Sequence, residues 1–179
     1  MMHENYVVLL GTKGGPAIRP RSSMPTSNLI CLNGLKIVLD CGLGVTKSLV
    51  DQGMQLKDLS LILISHMHSD HYLELGPLIH TAWTAGLKTP VKIYGPRGLK
   101  KYWSSFLEAM KTDIDIRIKD EGRPDIRALI TLYIVNEGVV LERNGITVNA
   151  LLTEHPPLTD CFASSFKTVD RHIVFSGDT

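Results

Sequence analysis

A chain of 179 residues, 44% hydrophobic and 21% charged, is long enough to bury a core of its own and reads as one domain over residues 1–179. Its formal net charge of +1 excludes a global pull toward nucleic acid or anionic lipid, and no apolar stretch approaches the ~18 residues that a membrane-spanning helix needs. The opening Met-Met-His-Glu-Asn-Tyr lacks the basic and apolar succession of a secretory leader, and Cys31, Cys41 and Cys161 are odd in number without metal-finger spacing; the expectation is reduced thiols in a cytoplasmic protein.

Strands dominate the first third. Residues 6–10 are apolar and β-branched and end at Gly11. A loop rich in Gly, Pro and Ser follows up to Thr26 and carries Lys13, Arg19 and Arg21. Segments 29–32 and 35–39 flank Asn33-Gly34, the dipeptide that most favours a two-residue hairpin turn. The run 59–64, Leu-Ser-Leu-Ile-Leu-Ile, reads as a buried strand.

Immediately after that run come His66, His68, Asp70 and His71 within six residues, HMHSDH. Imidazole nitrogen and carboxylate oxygen are the donors that zinc and other borderline divalent ions accept. A tight turn into a helix after Ser65 lets His66 and His68 converge on one ion while Asp70 and His71 face a second beside it. The bland alternative, four polar residues that merely start a helix, leaves three histidines without a task.

Leu75, Leu78, Ile79 and Ala82 recur at steps of three and four, predicting an amphipathic helix over 72–85 with Gly76-Pro77 in its first turns. A cleaner stripe, Leu99, Tyr102, Trp103, Phe106, Leu107 and Met110, predicts a second helix whose apolar face is core. Segment 113–127 is charged and ambiguous. Segments 129–135, 161–166 and 172–175 read as strands, and Asn144-Gly145 predicts a hairpin between 139–142 and 146–151.

A two-metal site needs more donors than one loop supplies, so the rest must come from distant strand ends. His155 follows the strand ending near 152 and precedes Pro156-Pro157, which stiffens the backbone. Asp178 follows the last strand in Ser-Gly-Asp-Thr, where Gly177 permits a tight turn. His3, His80 and His172 read as surface or packing residues.

These residues together carry a resemblance. HMHSDH, the later His155 and the late Asp178 resemble the metallo-β-lactamase superfamily, and Leu10-Gly11-Thr12, Leu39-Asp40-Cys41-Gly42, Ile64-Ser65-His66 and the terminal Phe-Ser-Gly-Asp-Thr bring the chain closest to its ribonuclease Z and arylsulfatase-like branch. The resemblance covers almost the whole chain. It implies an α/β (α+β) fold, a four-layer αββα sandwich with the second αβ half incomplete in this chain and a C-terminal portion missing. It also implies a first metal on His66, His68 and His155, a second on Asp70 and His71, and Asp178 bridging the two. Asp40 would stand behind them, accepting a hydrogen bond from a ligand imidazole. The family's final histidine ligand lies beyond Thr179, so the second site is expected to be weak or empty, with nearer one metal equivalent than two.

The implied chemistry is hydrolysis of an ester by water that two divalent ions make nucleophilic, with Asp70 in the catalytic role, zinc as the expected metal and manganese as the alternative. In ribonuclease Z a long RNA-gripping arm separates the third histidine motif from the bridging Asp; here only residues 156–177 intervene, and two strands use most of them. A small anionic ester, sulfate or phosphodiester, is therefore the expected substrate, with RNA the less favoured partner, no membrane partner and a homodimer left open. Lys13, Arg19 and Arg21 are the candidates to neutralise that anion if their loop folds over the metals. The alternatives are tRNA 3′-end processing and an inactive fragment or binding-only member of the fold.

Overall fold

The structure, a computed structural model, describes residues 5–179; His3 lies outside the described residues. Among the described residues, ten strands form two sheets. The first contains β1 (Tyr6–Gly11), β2 (Ser27–Leu32), β3 (Leu35–Cys41), β4 (Leu61–Leu63), β5 (Val91–Gly95) and β6 (Ile130–Ile134), in that spatial order. β1, β2 and β3 pair antiparallel; from β3 onward the pairs are parallel. The second sheet is an antiparallel meander of β7 (Gly138–Arg143), β8 (Ile146–Leu152), β9 (Phe162–Lys167) and β10 (His172–Phe175).

Both Asn-Gly dipeptides turn hairpins. Asn33 and Gly34 have φ of 46° and 77°, and Asn144 and Gly145 have 54° and 71°, the paired positive values of a type I′ turn. The first joins β2 to β3 and the second β7 to β8, so the two hairpins fix the register in both sheets.

Alternation along the strands builds two cores. Leu29, Val38, Ile62 and Ile93 face the helices, packing with Leu49, Leu78, Ile79, Trp83, Leu99 and Ile114. Their neighbours Ile30, Ile37, Leu39, Leu61 and Leu63 face the second sheet and meet Ile146, Val148 and Phe166. The crossovers that join parallel strands all step the same way across the sheet, which puts their helices on one face. The result is helices, six strands, then four strands. On the outer face of the second sheet Val139, Leu151 and Val174 are exposed, so among the described residues the fourth layer of the expected sandwich does not appear.

The helices depart from the sequence expectations in three places. The expected helix over 72–85 is divided into α2 (Ser69–Tyr72) and α3 (Leu75–Thr84), preceded in the chain by α1 (Val45–Asp51), which the sequence reading did not propose. The break falls at Glu74 because that residue serves its neighbours: its amide donates to the Cys41 carbonyl, and its carboxylate accepts the Gly44 and Thr46 amides at the start of α1. Pro77 sits in the first turn of α3, where its missing N–H is harmless. After α4 (Leu99–Ala109), the ambiguous segment resolves into α5 (Lys111–Glu121) and a single turn, α6 (Ile126–Leu129). The pairs Lys111–Asp115, Asp113–Arg117 and Arg117–Glu121, each four residues apart, explain why a polar stretch is helical, and Gly122, at φ 63°, ends it.

Candidate metal centre

Four strand ends deliver the chemistry to one edge of the sandwich. Asp40 lies near the end of β3, Ser65 and His66 just past β4, His155 past β8 and Asp178 past β10. Parallel strands that end together leave a crevice at their carboxyl edge, the usual ligand position in such sheets. The two sheets are joined there by the Phe162 amide, which donates to the Ser65 carbonyl at 3.1 Å. His68 keeps an extended backbone and precedes α2, whose first turn carries Asp70 and His71.

The side chains form two touching clusters. In the first, His68 Nδ1 lies 3.2 Å from His66 Nε2 and 3.0 Å from His155 Nε2. Two donors on one tetrahedral zinc, each ~2.0–2.1 Å from the ion, sit about 3.3 Å apart, so these spacings suit a shared ion. All three ligand nitrogens lie within 4.8 Å of one another. In the second cluster, His71 Nε2 lies 3.5 Å from Asp178 Oδ1 and 3.6 Å from Asp70 Oδ2. The ligand atoms of His66, His71 and Asp178 also fall within 4.8 Å, which makes His66 a member of both groups. Asp178 faces both sides: its other oxygen, Oδ2, is 3.8 Å from His155 Nε2.

Burial separates the donors. His66, Asp70 and His71 are almost inaccessible, whereas His68, His155 and Asp178 are half-buried and rim the opening. Burial, reinforced by the neighbouring His71, lowers the His66 pKa to about 4, while Asp40 and Asp178 pull the other way. A neutral His66 offers a lone pair at pH 7. For His71 burial also lowers the pKa, but the hydrogen bond to Asp40 and the charges of Asp40, Asp70 and Asp178 together raise it above its ordinary value. The pocket thus favours a positive charge at His71.

The tautomer of His71 says where that charge belongs. Asp40 Oδ2 accepts from His71 Nδ1 at 2.8 Å, so in the neutral imidazole His71 Nε2 carries the lone pair, and that buried nitrogen has no hydrogen-bond partner. A lone pair and two carboxylates turned toward one another are repulsive unless a cation sits among them. Imidazoles at metal spacing, carboxylates and one orphaned buried nitrogen make a donor set that fits divalent metal.

A supporting frame orients these donors. Asp40 also accepts from the Ser65 amide at 2.7 Å and the Ser65 hydroxyl at 2.9 Å, from a backbone φ of 63° that Asp tolerates better than most residues. The Ser65 hydroxyl lies 3.0 Å from His66 Nδ1, so one serine and one aspartate hold both imidazoles. Asp70 Oδ2 accepts from the Gly15 amide at 2.5 Å, which draws the loop between β1 and β2 to the site. Sequence reading assigned no role to Ser65, Gly15 or Glu74. Gly15 acts through its amide, Ser65 through one hydroxyl and its backbone, and Glu74 through a carboxylate that receives distant backbone amides, none of which leaves a spacing signature.

The three loop cations are placed differently. Lys13 folds its ammonium onto the Gly14 and Gly15 carbonyls at 2.8 and 2.9 Å, while Arg19 and Arg21 are exposed, and among the described residues neither guanidinium is paired. His80 pairs with Asp113 at 2.9 Å, away from the centre, and His172 is exposed at the start of β10.

Gly42 is where β3 passes the motif helix most tightly. A β-carbon there would fall 2.4 Å from the Asp70 carbonyl oxygen and 2.8 Å from Thr26 O, both backbone atoms that cannot swing aside. Gly42→Ala is therefore expected to displace the turn carrying Asp70 and His71, costing ~1–3 kcal/mol by overpacking. Denaturant unfolding of the variant beside Gly14→Ala, whose added methyl meets nothing within 4 Å, checks this.

Residues 6–179 match a family model described as "Anti-Pycsar protein Apyc1". A ribonuclease Z from Mycobacterium sp. (strain KMS) is 34% identical over 177 residues, covering 97% of this chain and 61% of the relative. Among solved structures, human tRNase Z, short form, superposes with a TM-score of 0.72 at 21% identity, over 96% of this chain and 68% of that one. The metallo-β-lactamase fold protein YhfI from Bacillus subtilis superposes with a TM-score of 0.70 at 20% identity, over 97% and 63%. The chain thus spans about 61% of the length of the curated relatives it matches. With two sheets, flanking helices and this match over nearly its whole length, the chain has the metallo-β-lactamase fold, has ribonuclease Z-like relatives and belongs to the anti-Pycsar Apyc1 family.

Proposed function

We propose that the protein is a metal-dependent phosphodiesterase acting on a small phosphodiester, with cyclic nucleotides the first class to test. The observation that carries this reading is the orphaned His71 Nε2 facing Asp70 and Asp178 beside the His66, His68 and His155 cluster. Bound divalent ions would supply Lewis acidity and a water acidic enough to attack at neutral pH. His66, His68 and His155 would hold one ion, and Asp70 and His71 the other, with Asp178 between them. Asp70, fixed by the Gly15 amide, would orient the attacking water and take its proton. Asp40 keeps the His71 lone pair directed inward. Zinc is the expected metal and manganese the alternative.

Substrate size follows from what surrounds the centre. The interval between His155 and Asp178 is filled by β9 and β10, paired as a tight hairpin, which leaves no chain for an RNA-gripping arm there. The near-neutral charge also lacks the surplus expected of a protein that tracks many phosphates. Arg19 and Arg21 remain the cations we assign to the substrate anion, with Lys13 shaping their loop.

The ribonuclease Z names of the relatives favour a second reading, tRNA 3′-end processing. A panel of bis-p-nitrophenyl phosphate, p-nitrophenyl sulfate, p-nitrophenyl acetate and 3′,5′-cyclic nucleotides, run on the intact protein with zinc and with manganese, separates the options. The expected result is metal-dependent turnover of the phosphodiesters at least ~10-fold above the sulfate and carboxyl esters. Exclusive turnover of the sulfate would transfer the assignment to sulfatase chemistry. Tight, steeply salt-dependent binding of precursor tRNA with no small-ester turnover would favour the RNA reading.

A further inference from the structure

His155 is the one donor of its cluster that sits on a long irregular segment. It lies between β8 and β9, in the stretch 153–161, and its neighbours on both sides are exposed. The base of this loop is closed by the Thr153 amide donating to the Cys161 carbonyl at 2.9 Å, and Thr153 Oγ1 donates to the Asp178 carbonyl at 3.2 Å. Within the tip, the Leu158 amide donates back to the His155 carbonyl at 3.1 Å. These bonds shape the loop but leave the tip, 154–160, with little outside itself to rest on.

Beside the His155 imidazole itself, which meets His68, one side-chain pair supplies that anchor. Asp160 accepts two parallel hydrogen bonds from Arg97, at 2.7 Å from Nε and 2.6 Å from Nη2. Arg97 belongs to the Pro96-Arg97-Gly98 turn between β5 and α4, which packs against Met67, the residue between His66 and His68: a β-carbon on Gly98 would touch the Met67 side chain at 3.6 Å. The bridge therefore joins the loop of the third histidine to the wall that supports the other two. A groove lined by Met67, Arg97, Leu158, Thr159 and Asp160 lies between them.

Stability does not explain this pair. The Arg97 side chain is 77% exposed, and exposed ion pairs contribute at most ~1 kcal/mol to folding. Its geometry is nevertheless bidentate, which fixes orientation as well as distance. The Arg97 hydrogen bonds also hold the Asp160 carboxyl below its ordinary pKa although burial pulls the other way, so the pair is ionised at neutral pH.

We propose that Arg97 and Asp160 are positioning residues for metal binding, a latch that holds the His155 loop so that its imidazole meets those of His66 and His68. The inference deepens the metallohydrolase reading and rests on it. Without the bridge, His155 must be ordered at the moment of binding, and the conformational entropy lost then weakens the complex.

The experiment uses the intact protein and two readouts, hydrogen exchange of the amides of Glu154, His155, Leu158, Thr159 and Asp160 in metal-free protein and zinc affinity by competition with a chromophoric chelator. Arg97→Ala and Asp160→Ala should each speed exchange in that segment and weaken zinc binding by about 10-fold, the lower end for residues that orient ligands. Arg97→Lys, which cannot form the fork, should recover only part of the affinity, and the exchanged pair Arg97→Asp with Asp160→Arg should recover more than either single charge reversal. Unchanged exchange in both alanine variants would overturn the proposal, as would faster exchange with zinc affinity held within twofold. Should the unaltered protein bind no zinc, the metallohydrolase reading fails by itself, and the exchange data still report whether the latch orders the loop.

Discussion

His68→Ala is expected to lower the proposed phosphodiester hydrolysis by about a thousandfold or more while leaving the protein folded. His68 is the hub of its cluster, with Nδ1 within 3.2 Å of nitrogens from both His66 and His155. Its removal leaves two imidazoles and a carboxylate shared with the second ion, in place of three imidazoles that belong to this ion. Losing several kcal/mol of Lewis-acid stabilisation corresponds to three or more powers of ten in rate. The fold should be spared because the side chain is half-buried at the rim and packs in neither hydrophobic core. The check is kcat/KM with zinc in excess, beside far-ultraviolet circular dichroism and zinc stoichiometry. Asp70→Ala should match it in rate and, in addition, release the Gly15 amide. Full activity in a purified, metal-loaded double variant would sink the mechanism.

Asp40→Ala should cost most in stability. Three donors converge on this carboxylate, from the Ser65 amide, the Ser65 hydroxyl and His71 Nδ1, in a site where Asp40 is 3% exposed. Truncation removes the acceptor that all three share, leaving His71 Nδ1 only the longer contact to the Ser65 hydroxyl at 3.3 Å, and unpaired buried partners of a charged group cost ~3–5 kcal/mol. The backbone adds a smaller cost, since alanine is less at ease than aspartate at φ 63°. Zinc affinity should fall ~10–100-fold as His71 loses its orientation. Asp40→Asn keeps the size and tolerates the backbone but replaces one acceptor oxygen with a donor, so it should unfold at a denaturant concentration between those of the unaltered protein and the alanine variant. Equal midpoints for all three would mean that the carboxylate does not organise the site.

The local features most legible in the sequence were those that a few adjacent residues decide. Two Asn-Gly turns located two hairpins because left-handed backbone is costly for other residues. The apolar runs at 29–32 and 35–39 became strands buried on both faces, and the stripe from Leu99 to Met110 became α4 with Leu99 and Trp103 inward. The run at 59–64 yielded a strand of only three residues, Leu61–Leu63, since Leu59 still closes the single 3-10 turn before it and Ile64 leads into the site. The division at Glu74 was not legible, because the reason for it lies in the amides of α1, thirty residues away.

By itself the sequence determined which donors exist, in what order, and on which strand ends or turns they stand, since HMHSDH, His155 and Asp178 each follow an apolar run that must be buried. It could not decide that His66 borders both clusters, that Ser65 and Asp40 fix the imidazoles, or that Arg97 reaches Asp160 across 63 positions of chain. Those are contacts between segments whose separation in sequence carries no information about distance. Only the closing of two sheets upon each other, driven by burial of Ile37, Leu63, Val148 and Phe166 between them, brings those segments to one edge.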